Sequence, residues 1–391
     1  MSLWWVRKEQ LDPDQVALIE SLPLKGSYLV VGPPGSGKTN VLLRRAQFVR
    51  SQNMPRVLVL SFTRALTEFV KTGCYDTQGR EVFPESLVNT IESWLRGLIT
   101  KAGEELPDEP TSGGLIAWKR VLAERALELC RRRRVPKYDA LFVDEAQDLI
   151  AEEVALLLEW SDNLFFVGDD RQKLYGHAEG LAAVRGMIPG LVTKKLRFHY
   201  RIVKKICRAA DRILVTEGGE SLERTSQYNG PQPGEIAYRP AGEPRETQVA
   251  AVAAALREQV RVYADLIRAG DRIGVVTARR AARDDLLELL ESDPELSGKC
   301  QIIRARDEGE RGYDPSFDAE TPICLLTTKG CKGLEFRALH WLFADEDAWM
   351  HKDEDYYTVV TRAKTSLAVY YRDKVPEVLV RAHAESGGDL W

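Results

Sequence analysis

The sequence predicts an α/β protein made of two parallel-sheet domains in tandem. Three observations carry this. Short apolar runs alternate with amphipathic stretches in two consecutive sets, which is the order that builds parallel sheets. The first strand of the first set runs into a glycine-rich loop that opens a helix. The chain has 391 residues, enough for two domains of ordinary size. Hydrophobic content of 44% with 29% charged residues is that of a globular chain and excludes a disordered one.

The loop is Gly32-Pro33-Pro34-Gly35-Ser36-Gly37-Lys38-Thr39, which fits G-x-x-x-x-G-K-[ST]. The apolar run Tyr28-Leu29-Val30-Val31 precedes it, and Asn40 and the amphipathic residues 41–46 follow. Glycines allow successive N–H groups to turn toward phosphate oxygens, and the helix N-terminus adds its positive dipole end. Lys38 is expected to reach the β- and γ-phosphates of a bound nucleotide, and the Thr39 hydroxyl to hold Mg²⁺.

The other elements follow in order. Gln15 stands just ahead of the amphipathic residues 16–19, with Asp12 or Asp14 as cap. It is a solvated helix residue or a reader of the adenine edge. Residues 56–61 form a buried-type strand ending in Phe62-Thr63-Arg64, and residues 87–90 form another, with a helix over 91–99 behind it. Residues 101–114 read as loop, and 118–130 as a helix ending in Arg131-Arg132-Arg133-Arg134. Those arginines are either a solvated helix end or a nucleic-acid backbone contact. Ala140-Leu141-Phe142-Val143 is a strand delivering Asp144 and Glu145. Adjacent carboxylates there suit Mg²⁺ coordination by Asp144 and activation of water by Glu145. Residues 163–168 repeat the pattern, and Gln172 becomes a candidate γ-phosphate sensor. Tyr175 is a platform for a base or a core aromatic.

In the second half, helices are expected over 202–215, 244–269, 281–290 and 356–364, and strands over 235–238, 273–276, 301–303, 323–327, 339–343 and 367–371. Residues 217–234 and 307–320 read as loops. The six cysteines are scattered without a C-x-x-C pair, and no apolar core with a cleavage site stands at the N-terminus. Both features point to reduced thiols in a cytoplasmic protein with no membrane association. The net charge of −4 argues against a generally basic nucleic-acid coat and leaves room for a local basic groove.

Together these landmarks resemble the UvrD/Rep-type superfamily 1A DNA helicases. Residues 11–15 fit the Q motif, 32–39 motif I, 61–66 motif Ia, 89–94 motif Ib and 143–148 motif II. Residues 167–176 fit motif III, 196–201 motif IV, 327–336 motif V and 356–363 motif VI. The resemblance implies P-loop NTPase chemistry on two RecA-like domains, residues 1–195 and 196–391, with ATP bound between them. It implies that Gln15 contacts adenine, Tyr200 stacks on it, and Glu335 contacts the ribose or couples nucleotide to DNA. Arg201 and Arg362 become arginine fingers on the γ-phosphate. Phe62, Arg64, Thr90 and Tyr175 become contacts to single-stranded DNA, with RNA left open.

Three departures narrow the reading. The large 1B and 2B subdomains of the family have no room here, and residues 101–137 are a reduced insertion. His177 stands where motif III places a large aromatic. Glu92 replaces a motif Ib histidine and adds a negative charge near the phosphate path. The function expected is an ATPase and helicase or translocase on single-stranded DNA, running 3′-5′ by family analogy. The alternative is a nucleotide-switched subunit that relies on a protein partner for unwinding.

Overall fold

The computed structural model describes residues 5–76, 78–132, 137–171, 180–214, 220–230, 234–240, 245–304, 315–346, 350 and 352–384. The chain forms two compact units, Arg7–Arg197 and Phe198–Trp391 with Met1–Val6.

The first unit runs α1 (Pro13–Val16), β1 (Tyr28–Val31), α2 (Lys38–Ser51), β2 (Val57–Ser61), α3 (Arg64–Thr72), β3 (Val88–Thr90), α4 (Ile91–Lys101) and α5 (Gly114–Arg132). It continues through β4 (Ala140–Val143), α6 (Ala151–Trp160), β5 (Leu164–Gly168), α7 (Gly180–Met187) and β6 (Val192–Lys195). Its sheet has the order β3-β2-β4-β5-β1-β6, with every pair parallel. Strands β1, β2, β4 and β5 are buried along their whole length. A parallel sheet covered on both faces needs such unbroken apolar runs. Leu58, Leu60, Leu141 and Val143 pack with Trp94 of α4, Leu122 of α5 and Leu157 of α6. The alternate residues Val30, Val59 and Phe142 point to the opposite face, where α2 crosses β2, β4 and β5. Because all strands are parallel, the segments leaving β1, β2, β3, β4 and β5 emerge at one carboxyl edge, the usual ligand edge of such a sheet.

The second unit runs α8 (Lys204–Ile213), α9 (Leu222–Thr225), β7 (Glu235–Pro240), α10 (Arg245–Val262), α11 (Ala264–Arg268), β8 (Ile273–Thr277) and α12 (Arg280–Glu291). It ends with β9 (Cys300–Ile302), β10 (Ile323–Thr327), β11 (Phe336–Trp341), α13 (Asp353–Val360), β12 (Ala363–Tyr371) and α14 (Glu377–Ala384). The second sheet is also parallel, in the order β7-β12-β11-β8-β10-β9.

Four expectations are corrected. The helix expected over 356–364 stops at Val360, and Ala363 already pairs with Phe336 of β11. The sheet needs residues 363–371 as the strand between β7 and β11, which overrides the helical pattern. The strand expected over 339–343 is Phe336–Trp341, and the 244–269 helix breaks in two at Tyr263. The loop over 217–234 contains the one-turn helix α9, capped by Ser221, whose hydroxyl accepts from the Arg224 amide at 3.3 Å. Strand β6 was not expected at all. Its four residues are exposed, and it pairs through its backbone with β1.

Candidate nucleotide site

The site is built where β1, β4 and β5 end. Gly35 and Gly37 have φ of 73° and 81°, the left-handed region that the loop needs and that glycine enters without strain. A Cβ on Gly32 would lie 2.8 Å from Ser36 Oγ, and one on Gly37 would lie 2.8 Å from Gln15 Nε2. The cradle therefore closes only around glycine at these two positions.

Asp12 caps α1 by accepting from the Gln15 amide at 2.8 Å. The Gln15 side chain accepts from the Asp12 amide at 3.1 Å and donates to the Ser36 carbonyl at 2.9 Å. Gln15 is buried, and its side-chain amide ties the cap of α1 to the loop. Lys38 Nζ donates to the carbonyls of Gly32 and Pro33 at 2.8 and 2.9 Å, folded back over the loop. Asn40 is buried in the first turn of α2.

Thr39 and Asp144 come together. The Thr39 hydroxyl donates to Asp144 Oδ2 at 2.8 Å, across 105 positions of sequence. Burial pushes Asp144 up to about 7, Glu145 beside it adds to the rise, and the Thr39 hydroxyl opposes it. Glu145 holds φ of 50°, a left-handed conformation in a residue with a side chain. Such strain is retained where the surroundings over-determine it. The surroundings here are Asp144, whose Oδ1 accepts from the Glu145 amide at 2.8 Å, and Gln147. Gln147 Nε2 donates to Glu145 Oε2, and Gln147 Oε1 accepts from the Asp169 amide at 3.1 Å.

Gln147 and Asp169 are the site residues that sequence reasoning missed. Asp169 directly follows β5, the strand between the phosphate-loop strand and the Asp144 strand. Its Oδ1 accepts from the Arg171 amide at 2.9 Å. Its Oδ2 is buried with no hydrogen-bond partner among the described residues, and so is Ser36 Oγ. Burial raises the Asp169 pKa, and Lys38 draws it back. A hydroxyl–carboxylate pair, two orphaned buried oxygens and a glycine cradle fit a phosphate group with a divalent cation. The signal that would have found Asp169 is its place directly after the apolar strand β5.

The second unit gathers other candidates around Glu335. Arg201 Nη1 donates to Glu335 Oε2 at 3.3 Å. Burial alone would raise the Glu335 pKa, but Arg201, Lys364 and Arg362 hold it below the ordinary value. Arg362 is buried in the turn between α13 and β12. Its Nε donates to the Thr358 carbonyl at 3.0 Å and its Nη1 to the Leu334 carbonyl at 3.3 Å. Lys364 reaches Asp271 at 2.5 Å, and Arg337 reaches the same carboxylate. Tyr200 is half-buried.

The nucleic-acid candidates sit at the far side of the same carboxyl edge, after β2 and β3. Arg64 is exposed in the first turn of α3. Thr90 caps α4 by accepting from the Ser93 amide at 3.0 Å. Phe62 is buried, with the ammonium of Lys119 4.7 Å from its ring centroid, so its ring is not presented as a base platform. Glu92 does not stand as a bare charge either. Its Oε1 accepts from Arg96 Nε at 3.0 Å and from Trp118 Nε1 at 3.1 Å. Gln172 and Tyr175 lie outside the described residues.

Residues 15–178 match the family model of an AAA domain. No curated protein matches the chain. Among solved structures, the PRRSV helicase is similar at 15% identity and a TM-score of 0.41, over 91% of this chain and 54% of that one. The C-terminal domain of a possible DNA helicase from Lactobacillus plantarum WCFS1 is similar at 20% identity and a TM-score of 0.32, over 47% of this chain and 95% of that one. This chain thus spans about half the length of the first. The glycine loop, the strand order and the AAA-domain match make this a P-loop nucleotide-binding fold with two RecA-like parallel-sheet domains in tandem. No helix among the described residues is long and apolar enough to cross a membrane.

Proposed function

We propose that the chain is an ATP-dependent superfamily 1 translocase or helicase of the UvrD/Rep type that moves 3′-5′ on single-stranded DNA in the cytoplasm. It would lack the large 1B and 2B subdomains. The carrying observation is the Thr39–Asp144 hydrogen bond beside Glu145, at the mouth of the glycine loop. Thr39 and Asp144 would hold Mg²⁺, which when bound neutralises phosphate charge. Lys38 turns from the Gly32 and Pro33 carbonyls to the β- and γ-phosphates. Glu145, held by Gln147, takes the proton of the attacking water. Gln172 orients that water or senses the γ-phosphate. Arg201 and Arg362 are the candidate arginine fingers for the γ-phosphate, and Glu335 is the candidate for contacting the ribose or coupling nucleotide to DNA. Gln15 and Tyr200 border the adenine. Arg64 and Thr90 face the DNA backbone. Tyr175 stacks on a base, and Phe62 acts from beneath the surface.

The test is Mg²⁺-dependent ATP hydrolysis by the purified chain, with and without a single-stranded oligonucleotide. Hydrolysis should rise with the single strand, and Lys38→Ala should lower it by about 100-fold or more. Equal rates for wild type and Lys38→Ala would end this reading. The burial of Phe62 favours a second reading, a nucleotide-switched subunit with a protein partner. Robust displacement of a strand from a 3′-tailed duplex by the chain alone would exclude it.

A further inference from the structure

Helix α5 belongs to the segment that the resemblance reads as a reduced insertion, yet it holds a buried cation between two functional regions. Lys119 is 2% exposed. Its Nζ donates to the Asp148 carbonyl at 2.6 Å, pairs with Glu153 at 2.8 Å, and lies 4.7 Å from the Phe62 ring centroid. Asp148 closes the one-turn helix Ala146–Asp148 that follows Glu145 directly. Phe62 leaves β2 between Ser61 and the cap of α3. One residue earlier, Trp118 binds Glu92 in the first turn of α4, behind Thr90. The start of α5 thus touches the segments after β2 and β3 and the segment after β4.

We propose that Lys119 is a positioning residue that couples nucleic-acid binding after β2 to the placement of Glu145 after β4. This rests on the nucleic-acid-stimulated ATPase reading above. The physical case starts from cost. Burying an ammonium and a carboxylate contributes little net stability, and apolar side chains of the same volume hold a core as well. What the charge adds is direction. The ammonium has three donors and meets a carbonyl, a carboxylate and a ring face, each from a different segment. A shift of the Phe62 backbone when a strand binds beside Arg64 moves the ring under the ammonium. Lys119 then pulls on the Asp148 carbonyl, and the short turn carries the shift to Glu145 and Gln147. Glu153 pairs with the ammonium, and its Oε2 also accepts from the Ile150 amide at 3.1 Å, which fixes the start of α6.

The experiment uses the full chain. Lys119→Met alone would leave Glu153 buried without its cation, so the main variant is Lys119→Met with Glu153→Gln, whose side-chain carbonyl still accepts from Ile150. ATP turnover is measured without nucleic acid and with saturating oligothymidylate, together with oligothymidylate Kd by fluorescence anisotropy and the melting temperature. The expected result is basal turnover and Kd within about threefold of wild type, with the stimulation factor reduced about tenfold. Lys119→Arg should recover part of the stimulation. An unchanged stimulation factor overturns the inference. So does an equal fall of basal and stimulated turnover with a lowered melting temperature, which marks Lys119 as structural support only. If wild type itself is not stimulated by the single strand, the functional reading falls and this inference falls with it. That outcome is visible before any variant is made.

Discussion

At the scale of single residues, the site depends on side chains that hold other side chains. Glu145 is strained at its backbone, so its carboxylate direction depends on what grips it. Gln147 is that grip, and it also reads the end of β5 through the Asp169 amide. Gln147→Leu should therefore lower kcat for ATP by about 10- to 100-fold and leave nucleotide affinity within about threefold, as loss of an outer-shell partner does. Gln147→Glu should be at least as damaging, because a second carboxylate would face Glu145. Steady-state ATPase rates and nucleotide binding by anisotropy separate the two effects. A parallel loss of affinity would assign Gln147 to loop folding instead.

At the scale of elements, the second sheet is tied to one of its helices through a buried histidine. His340 on β11 accepts at Nδ1 from the Tyr370 hydroxyl of β12 at 3.0 Å and donates from Nε2 to Gln259 Oε1 of α10 at 2.8 Å. The ring is neutral in that arrangement, since Gln259 Oε1 only accepts and a protonated Nδ1 would face a hydroxyl that must turn away. Burial, with Arg239 nearby, lowers the His340 pKa from 6.5 to about 3. The unfolded chain takes up a proton near 6.5 and the folded chain does not. The stability this site contributes is whole above 6.5 and is lost as pH falls toward about 3. At pH ~5 the loss should be about 2 kcal/mol. Denaturation in urea across that range should show it. His340→Gln should start lower at neutral pH and fall less steeply.

The elements also show what was legible from residues alone. Strands β1, β2, β4, β5, β8 and β10 were readable because they are buried on both faces and carry unbroken apolar runs. Strand β6 was not, because Val192-Thr193-Lys194-Lys195 buries no side chain and its pairing leaves no trace in composition. The end of α13 was misplaced because Val359-Val360-Thr361 continues an acceptable helical pattern, and only the neighbouring strands decide where it stops. The glycine loop and the Asp144–Glu145 pair were legible as local motifs. The Gln147 bridge, the Lys119 strut and the Glu92–Trp118 bond were not, because each joins positions through side-chain direction rather than spacing.

At the scale of the whole molecule, the proposed chemistry is divided between two units that each have their own sheet and core. Everything that forms the phosphate cradle and the Thr39–Asp144 pair lies in Arg7–Arg197. Arg201, Glu335 and Arg362 all lie in the other unit. A fragment covering residues 7–197 has a complete six-stranded sheet, including the β6 edge. It should fold cooperatively by circular dichroism and bind a fluorescent ATP analogue with Mg²⁺. Without the two arginines its turnover should fall by about 1,000-fold or more, the usual worth of an arginine finger. In the full chain, Arg201→Ala and Arg362→Ala should reproduce most of that loss while nucleotide binding persists. A fragment that hydrolyses ATP as fast as the full chain would show that the second unit takes no part in the chemistry. In that case the pairing of Arg201 with Glu335 would be structural, and the stimulation by single strands would have to arise wholly within the first sheet.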